Sequence, residues 1–179
     1  IWPCGCNWNL GAVNGTDASG TLLPMVQSAH PGEPGSKDQK VQAYGFRLCM
    51  TKDIQNKRPL PIPAAYDPYE WELLRRSFRN RSVASTLKFS SFFRASEVAI
   101  NKTDVNNAGG LATDFISGSW RWPDASRVER AAIYDAHVNY TLGLFHFLRS
   151  DAAVPPPLRA EVASWGLAAD EFTDSDGFP

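Results

Sequence analysis

An α+β fold, a mixed sheet with helices packed on it, follows from three features of this 179-residue chain. Residues 41–51 and 86–102 carry the Val, Phe and Tyr content and the rough period-two alternation of strands. A Pro-started helical stripe lies between them, and two further helical patterns occupy the C-terminal third. The chain is long enough for one domain that buries roughly two-thirds of its unfolded surface. It is 43% hydrophobic and 21% charged with a net charge of -1, a balance that argues against disorder and against a polyanionic partner such as nucleic acid. No run approaches the roughly 18 apolar residues of a membrane-spanning helix, so no membrane partner is expected.

Residues 1–40 contain clusters such as HPGEPGSK and hold no sustained period, which makes them an irregular Gly/Pro-rich lead-in to a unit spanning 41–179. In VQAYGFRLCMT (41–51), Val41, Ala43, Gly45, Arg47 and Cys49 fall on one strand face and Gln42, Tyr44, Phe46, Leu48 and Met50 on the greasier other. RPLPIPAAYDP is a connector, since Pro lacks the N–H and clashes with a preceding helical turn. Asp67 before Pro68 then supplies an N-cap and a first-turn Pro for a helix with Trp71, Leu74 and Phe78 on one stripe.

TLKFSSFFRASEVAINK (86–102) reads as one or two strands leading into a polar loop, KTDVNNAGGLATDF (102–115). From Pro123 and Asp124 a helix of about seven turns is predicted to reach Ser150. Its first half is amphipathic, while beyond Val138 apolar residues cover most of the circumference and predict burial against more than one neighbour. Gly143 inside it points to close approach by another element, because Gly in a helix costs about 1 kcal/mol relative to Ala. A last Pro-started helix should end at Trp165-Gly166, with the glycine as its C-terminal residue.

Cys4, Cys6 and Cys49 are an odd set, so at least one thiol is free or pairs outside the segment. The CGC pair is spaced too closely for a zinc site, and His30 has no second His nearby; no metal is expected. Four of the nine Asn lie in N-x-S/T, where Ser and Thr frequency alone gives about one. This favours a secreted or secretory-pathway glycoprotein with Asn14, Asn80 and Asn101 as acceptors, Asn139 lying instead within an apolar helical pattern.

The polar loop matches a calcium-binding EF-hand at Asp104, Asn106 and Gly109 but fails at Ala108 and at Phe115, where the bidentate Glu should stand. A G-x-G-x-x-G fingerprint, a P-loop and a G-x-S-x-G elbow are all absent. What remains is a dense donor and acceptor set, Lys102, Asp104, Asn106 and Asn107, suited to fixing a polar substrate or a cofactor edge; the alternative is an Asx turn in which Gly109 and Gly110 allow positive φ.

Three ordered blocks, VQAYGFRLCMTKDIQNKRPLPIPAAYDPYEWELL, KTDVNNAGGLATDFISGS and RVERAAIYDAHVNYTLGLFHFLRSDAAVPPPLRAEVASWGLAADEFTDSDGFP, together resemble the FAD-dependent oxidoreductase family over roughly residues 40 to 179. The resemblance implies the substrate-domain portion of a two-domain flavoprotein, a fragment whose dinucleotide-binding glycines lie upstream and whose further FAD contacts lie downstream. The start at Ile1 and the stop at Asp-Gly-Phe-Pro fit that expectation of a piece of a longer chain. Its partners would be a small organic substrate and the remainder of its own chain, and its cofactor FAD, which carries the hydride chemistry.

On that reading Arg47 could bind a substrate carboxylate or stabilise an anionic reduced flavin. Tyr44, Lys102, Asp104, Asn106 and Asn107 would face substrate or flavin. His137, on a helix stripe with Tyr140, Thr141 and Leu144, is a candidate acid or base, with a satisfied core histidine as the alternative. His146 lies nine residues on, on the opposite face, so the two cannot share a metal. A second function class, a secreted non-catalytic carbohydrate-binding module, would use Trp120 and Trp122 on one strand face as exposed stacking platforms.

Overall fold

The computed structural model describes residues 13–28, 32–33, 35–80, 84–108 and 111–179. Cys4, Cys6, His30, Gly109 and Gly110 lie outside the described residues, and so do the readings that rest on them.

Strands β1 (Leu48–Thr51), β2 (Lys57–Arg58), β3 (Phe93–Ala99), β4 (Lys102–Asn107) and β5 (Gly166–Ala168) form one sheet in the order β2-β5-β1-β4-β3. Every pairing is antiparallel, which corrects the expected mixed sheet while keeping the α+β class. The described helices are α1 (Glu72–Arg79), α2 (Arg127–Ser150) and α3 (Pro156–Ser164).

One face of the sheet supplies Leu48, Met50, Val105 and Leu167 to the core, where they meet the C-terminal half of α2. Phe93 stacks on Phe145 of α2 with ring centroids 4.5 Å apart, and Phe89 joins Phe93 to Trp165 at the end of α3. In α2, Tyr140 to Phe145, Phe147 and Leu148 are all buried, as their full-circumference apolar pattern requires. Trp71 is the neighbour that Gly143 admits: a Cβ at Gly143 would sit 3.0 Å from the Trp71 Cζ2 atom. Residues 127–136 of α2 are exposed except for half-buried Ile133, with Val128 81% exposed, and burial begins only at His137.

Local signals explain most boundaries. The Asp67 carboxylate accepts from the Tyr69 N–H and starts a 3₁₀ turn (Pro68–Trp71) that passes into α1, with Trp71, Leu74 and Phe78 buried as the stripe predicts. Helix α2 starts later than Pro123, because Ser126 and Glu129 form a reciprocal capping box that satisfies the first-turn donors.

Three expectations are overturned. Residues 41–47 are not strand: the Tyr44–Phe115 bridge is isolated, and at Gly45 a Cβ would lie 2.7 Å from Asp114 Oδ1 and 2.8 Å from Thr113 O. The chain is held there by segment 113–115 instead of by a sheet neighbour. KTDVNN is not a loop but β4; the reversal occurs one step earlier at Ile100-Asn101, with Asn101 at φ 59, a left-handed conformation that Asn tolerates. Gly166 does not end α3 in a left-handed conformation; it opens β5, where a Cβ would stand 2.5 Å from Arg58 O, so the bare backbone is what lets β2 approach.

Candidate functional site

The principal concavity among the described residues is a cavity of about 540 Å³. Segment 24–27 forms one side and Ala65 and Glu70 another; segment 111–117 forms the third, with Ala136, Asn139 and Tyr140 of α2 as the fourth. Its size and largely apolar walls are those of a small-molecule site. Phe115 stacks on Tyr140 at 4.4 Å with rings 10° from parallel, and the Tyr140 hydroxyl donates to Ala112 O at 2.9 Å, which fixes this wall.

Two carboxyls, Asp114 and Glu70, line the same cavity. Neither has an ion-pair or hydrogen-bond partner for its side chain among the described residues. Burial pushes the half-buried Asp114 carboxyl above the usual carboxylate range. The more exposed Glu70 is raised by burial and then by the charge of Asp67. No lining residue among those described is basic.

Tyr44 and His137 line a separate recess of about 160 Å³ with Gly45, Phe46, Trp122, Ile133 and Tyr134. Phe115 of the larger cavity meets His137 of this recess edge to face, with ring centroids 5.2 Å apart. His137 is 6% exposed and both ring nitrogens are engaged. Nδ1 lies 2.7 Å from Ile133 O, a carbonyl that can only accept, so Nδ1 carries the proton. Nε2 is therefore the acceptor for the Ser119 hydroxyl at 3.0 Å, and Ser119 Oγ in turn accepts the Tyr44 N–H at 3.2 Å. Both ring nitrogens are thus hydrogen-bonded within the protein, as in a core histidine. Tyr44 is 43% exposed rather than core, with Trp122 edge-on at 6.4 Å.

The remaining predicted residues split by strand geometry. Lys102, Asp104 and Asn106 share the outer face of β4, whereas Asn107 falls on the same side as buried Val105. Arg47 reaches across to form a two-pronged ion pair with Asp104. Lys102 is held between Asp170 at 2.7 Å and Glu171 at 2.6 Å, whose hydrogen bonds raise its basicity. Asn106 accepts from the Asn107 N–H at 2.8 Å. The Asn107 Oδ1 atom is buried with no partner among the described residues. Cys49 is a free thiol on the same outer face, pushed up by burial and by Glu171.

Of the sequons, Asn14 and Asn101 are exposed, Asn80 is half-buried at the end of α1, and half-buried Asn139 is on the cavity wall. Trp120 and Trp122 sit in consecutive turns, not on a strand. Both are half-buried, with Lys40 over one ring at 5.7 Å and Arg130 over the other at 5.6 Å, so they offer no shared flat platform.

With every strand pairing antiparallel, the described residues contain neither a βαβ crossover nor a Gly-rich turn leading from a strand into a helix. The described residues do not by themselves fit a dinucleotide. Sequence reasoning missed Glu70 and Asp114; the available signal for the second was a lone acid in LATDF, flanked by residues that become buried. Compared with known proteins, the chain matches no family model, no curated protein and no solved structure.

Proposed function

We propose that this chain is the substrate-binding portion of a FAD-dependent oxidoreductase, with the 540 Å³ cavity as its substrate chamber. The flavin would be held by the remainder of the chain and would supply hydride transfer to or from a small organic substrate. The residues present here bind that substrate, orient it and limit water around it. The observation that supports this reading is convergence. The three blocks that carry the family resemblance are separate in sequence, yet each contributes to one wall set: Ala65 and Glu70 from the first, Leu111 and Asp114 to Ser117 from the second, and Ala136, Asn139 and Tyr140 from the third.

The test is the visible spectrum of the full-length protein. Bands of oxidised flavin, bleached on adding a reductant, are the expected result. A folded, colourless protein that takes up no added FAD overturns the reading.

A further inference from the structure

We propose that the cavity binds a small organic cation, its ammonium head drawn to Asp114, with Glu70 adding negative charge at the exposed wall, and its carbon body against Leu111, Phe115 and Ile116. The ligand class deepens the reading of the cavity as a substrate chamber, and rests on it only for the claim that the bound molecule is turned over.

Four features of the cavity carry the inference. The first is that neither acidic side chain on its wall has a partner among the described residues, whereas three other half-buried acids are tied to arginine: Glu72 and Asp151 to Arg75, and Asp104 to Arg47. The second is that no described lining residue is basic, so nothing in the described wall neutralises these carboxylates. Third, the nearest further charge acting on Glu70 is Asp67, which adds to the negative field. A half-buried carboxylate without a counter-ion has lost part of its hydration without recompense, and an entering ammonium restores that interaction in a medium where it is stronger than in water.

The fourth feature is the apolar wall, which selects against a bare metal ion. A divalent cation would require several oxygen ligands converging on one point, and among the described residues no group of three or more His, Cys, Asp or Glu side chains could hold one. The wall also selects against a polyol, whose many hydroxyls would face Met25, Val26, Leu111 and Ile116 unpaired. A cation with a hydrophobic body uses both kinds of surface at once.

The experiment is a calorimetric and saturation-transfer NMR titration of the full-length protein near neutral pH with benzylammonium, its neutral isostere benzyl alcohol, benzoate and calcium. Benzylammonium should bind at least about tenfold more tightly than benzyl alcohol, the difference one charge-assisted hydrogen bond makes. Benzoate and calcium should not compete. Asp114→Asn should weaken benzylammonium by about tenfold and benzyl alcohol by much less. Glu70→Gln, at the more exposed wall, should weaken it by about threefold and provides the same readout should the first variant fail to fold.

Equal affinity for the amine and the alcohol, no benzylammonium binding at millimolar concentration, displacement by calcium, or unchanged amine affinity in a folded variant each overturns the proposal. The two proposals fail separately. A colourless protein that discriminates the amine from the alcohol removes the flavin and keeps the cation site, whereas a flavin-coloured protein that does not discriminate removes the cation site alone.

Discussion

The acids at the cavity and the acids that brace the helices are treated in opposite ways. Glu72 and Asp151 have side chains only 14% and 17% exposed, and Arg75 lies between them at 2.8 and 2.9 Å, tying α1 to the residue that caps α2. Burial alone would push the Glu72 carboxyl up, but hydrogen bonds from Arg75 and Arg76 outweigh it and hold the group below its usual range. Asp114 has burial and nothing to oppose it, so its carboxyl is pushed the other way. The same side-chain chemistry is thus structural where a guanidinium completes it. At the cavity it is left incomplete.

The largest effect should come from the braced region. Arg75→Ala removes the ion-pair partner of Asp151, one of the arginines on Glu72 and a donor to Pro68 O, so it should cost about 2 kcal/mol, somewhat less than the loss of a fully buried pair. Urea denaturation measures it, and a change within error would mean that the Arg75 network is ornamental. The outer sheet face stands between the extremes. Its Arg47 is 67% exposed, so Arg47→Ala should cost only about 0.5 kcal/mol, and raised salt should shrink that figure further.

How much of this was visible in the residues themselves depends on how local the cause is. The Asp67-Pro68 start of the first helix and the burial of α2 from Tyr140 to Leu148 were legible, because an N-cap acts within one turn and an apolar circumference needs no partner to be read. The Ser126–Glu129 box is equally local, but Pro123 and Asp124 present a competing start signal three residues upstream. Strand β4 was not legible: Lys, Thr, Asp and Asn favour turns when isolated, and only pairing with β1 and β3 on both sides makes KTDVNN extended. The polar residues chosen from that stretch were real neighbours in space, but of one another, as the Arg47–Asp104 pair illustrates. A cavity has no sequence signature at all. Asp114 became noticeable only once Gly45, Phe115 and Tyr140 were seen around it.

Stability should separate the two kinds of acid by sign as well as by size. Asp114→Asn removes a half-buried charge that no counter-ion faces, so it should leave stability unchanged or raise it by up to about 0.5 kcal/mol in the absence of ligand. A loss above about 1 kcal/mol would mean that the carboxylate has a structural partner.

The pH dependence of that small gain is the sharpest discriminator. A carboxyl whose folded-state pKa lies above its unfolded value binds its proton more tightly when folded, so it contributes stability below the unfolded pKa and loses that contribution as pH rises through the folded one. For Asp114, raised by burial, the native state of the parent protein is therefore penalised at neutral pH and relieved in acid. The asparagine variant carries no such charge at any pH. The difference between variant and parent should consequently be positive at neutral pH and should vanish as pH falls below the ordinary carboxylate range. Glu72, held low by its arginines, predicts the reverse course: Glu72→Gln should be destabilising at neutral pH, with the deficit closing only as acid protonates the parent's carboxyl through its depressed folded value. Paired urea titrations of both variants across that range would give two curves of opposite sign converging toward zero in acid. Two curves of the same sign would mean that the cavity acid is braced like the others, and the reason for assigning it to a ligand would be gone.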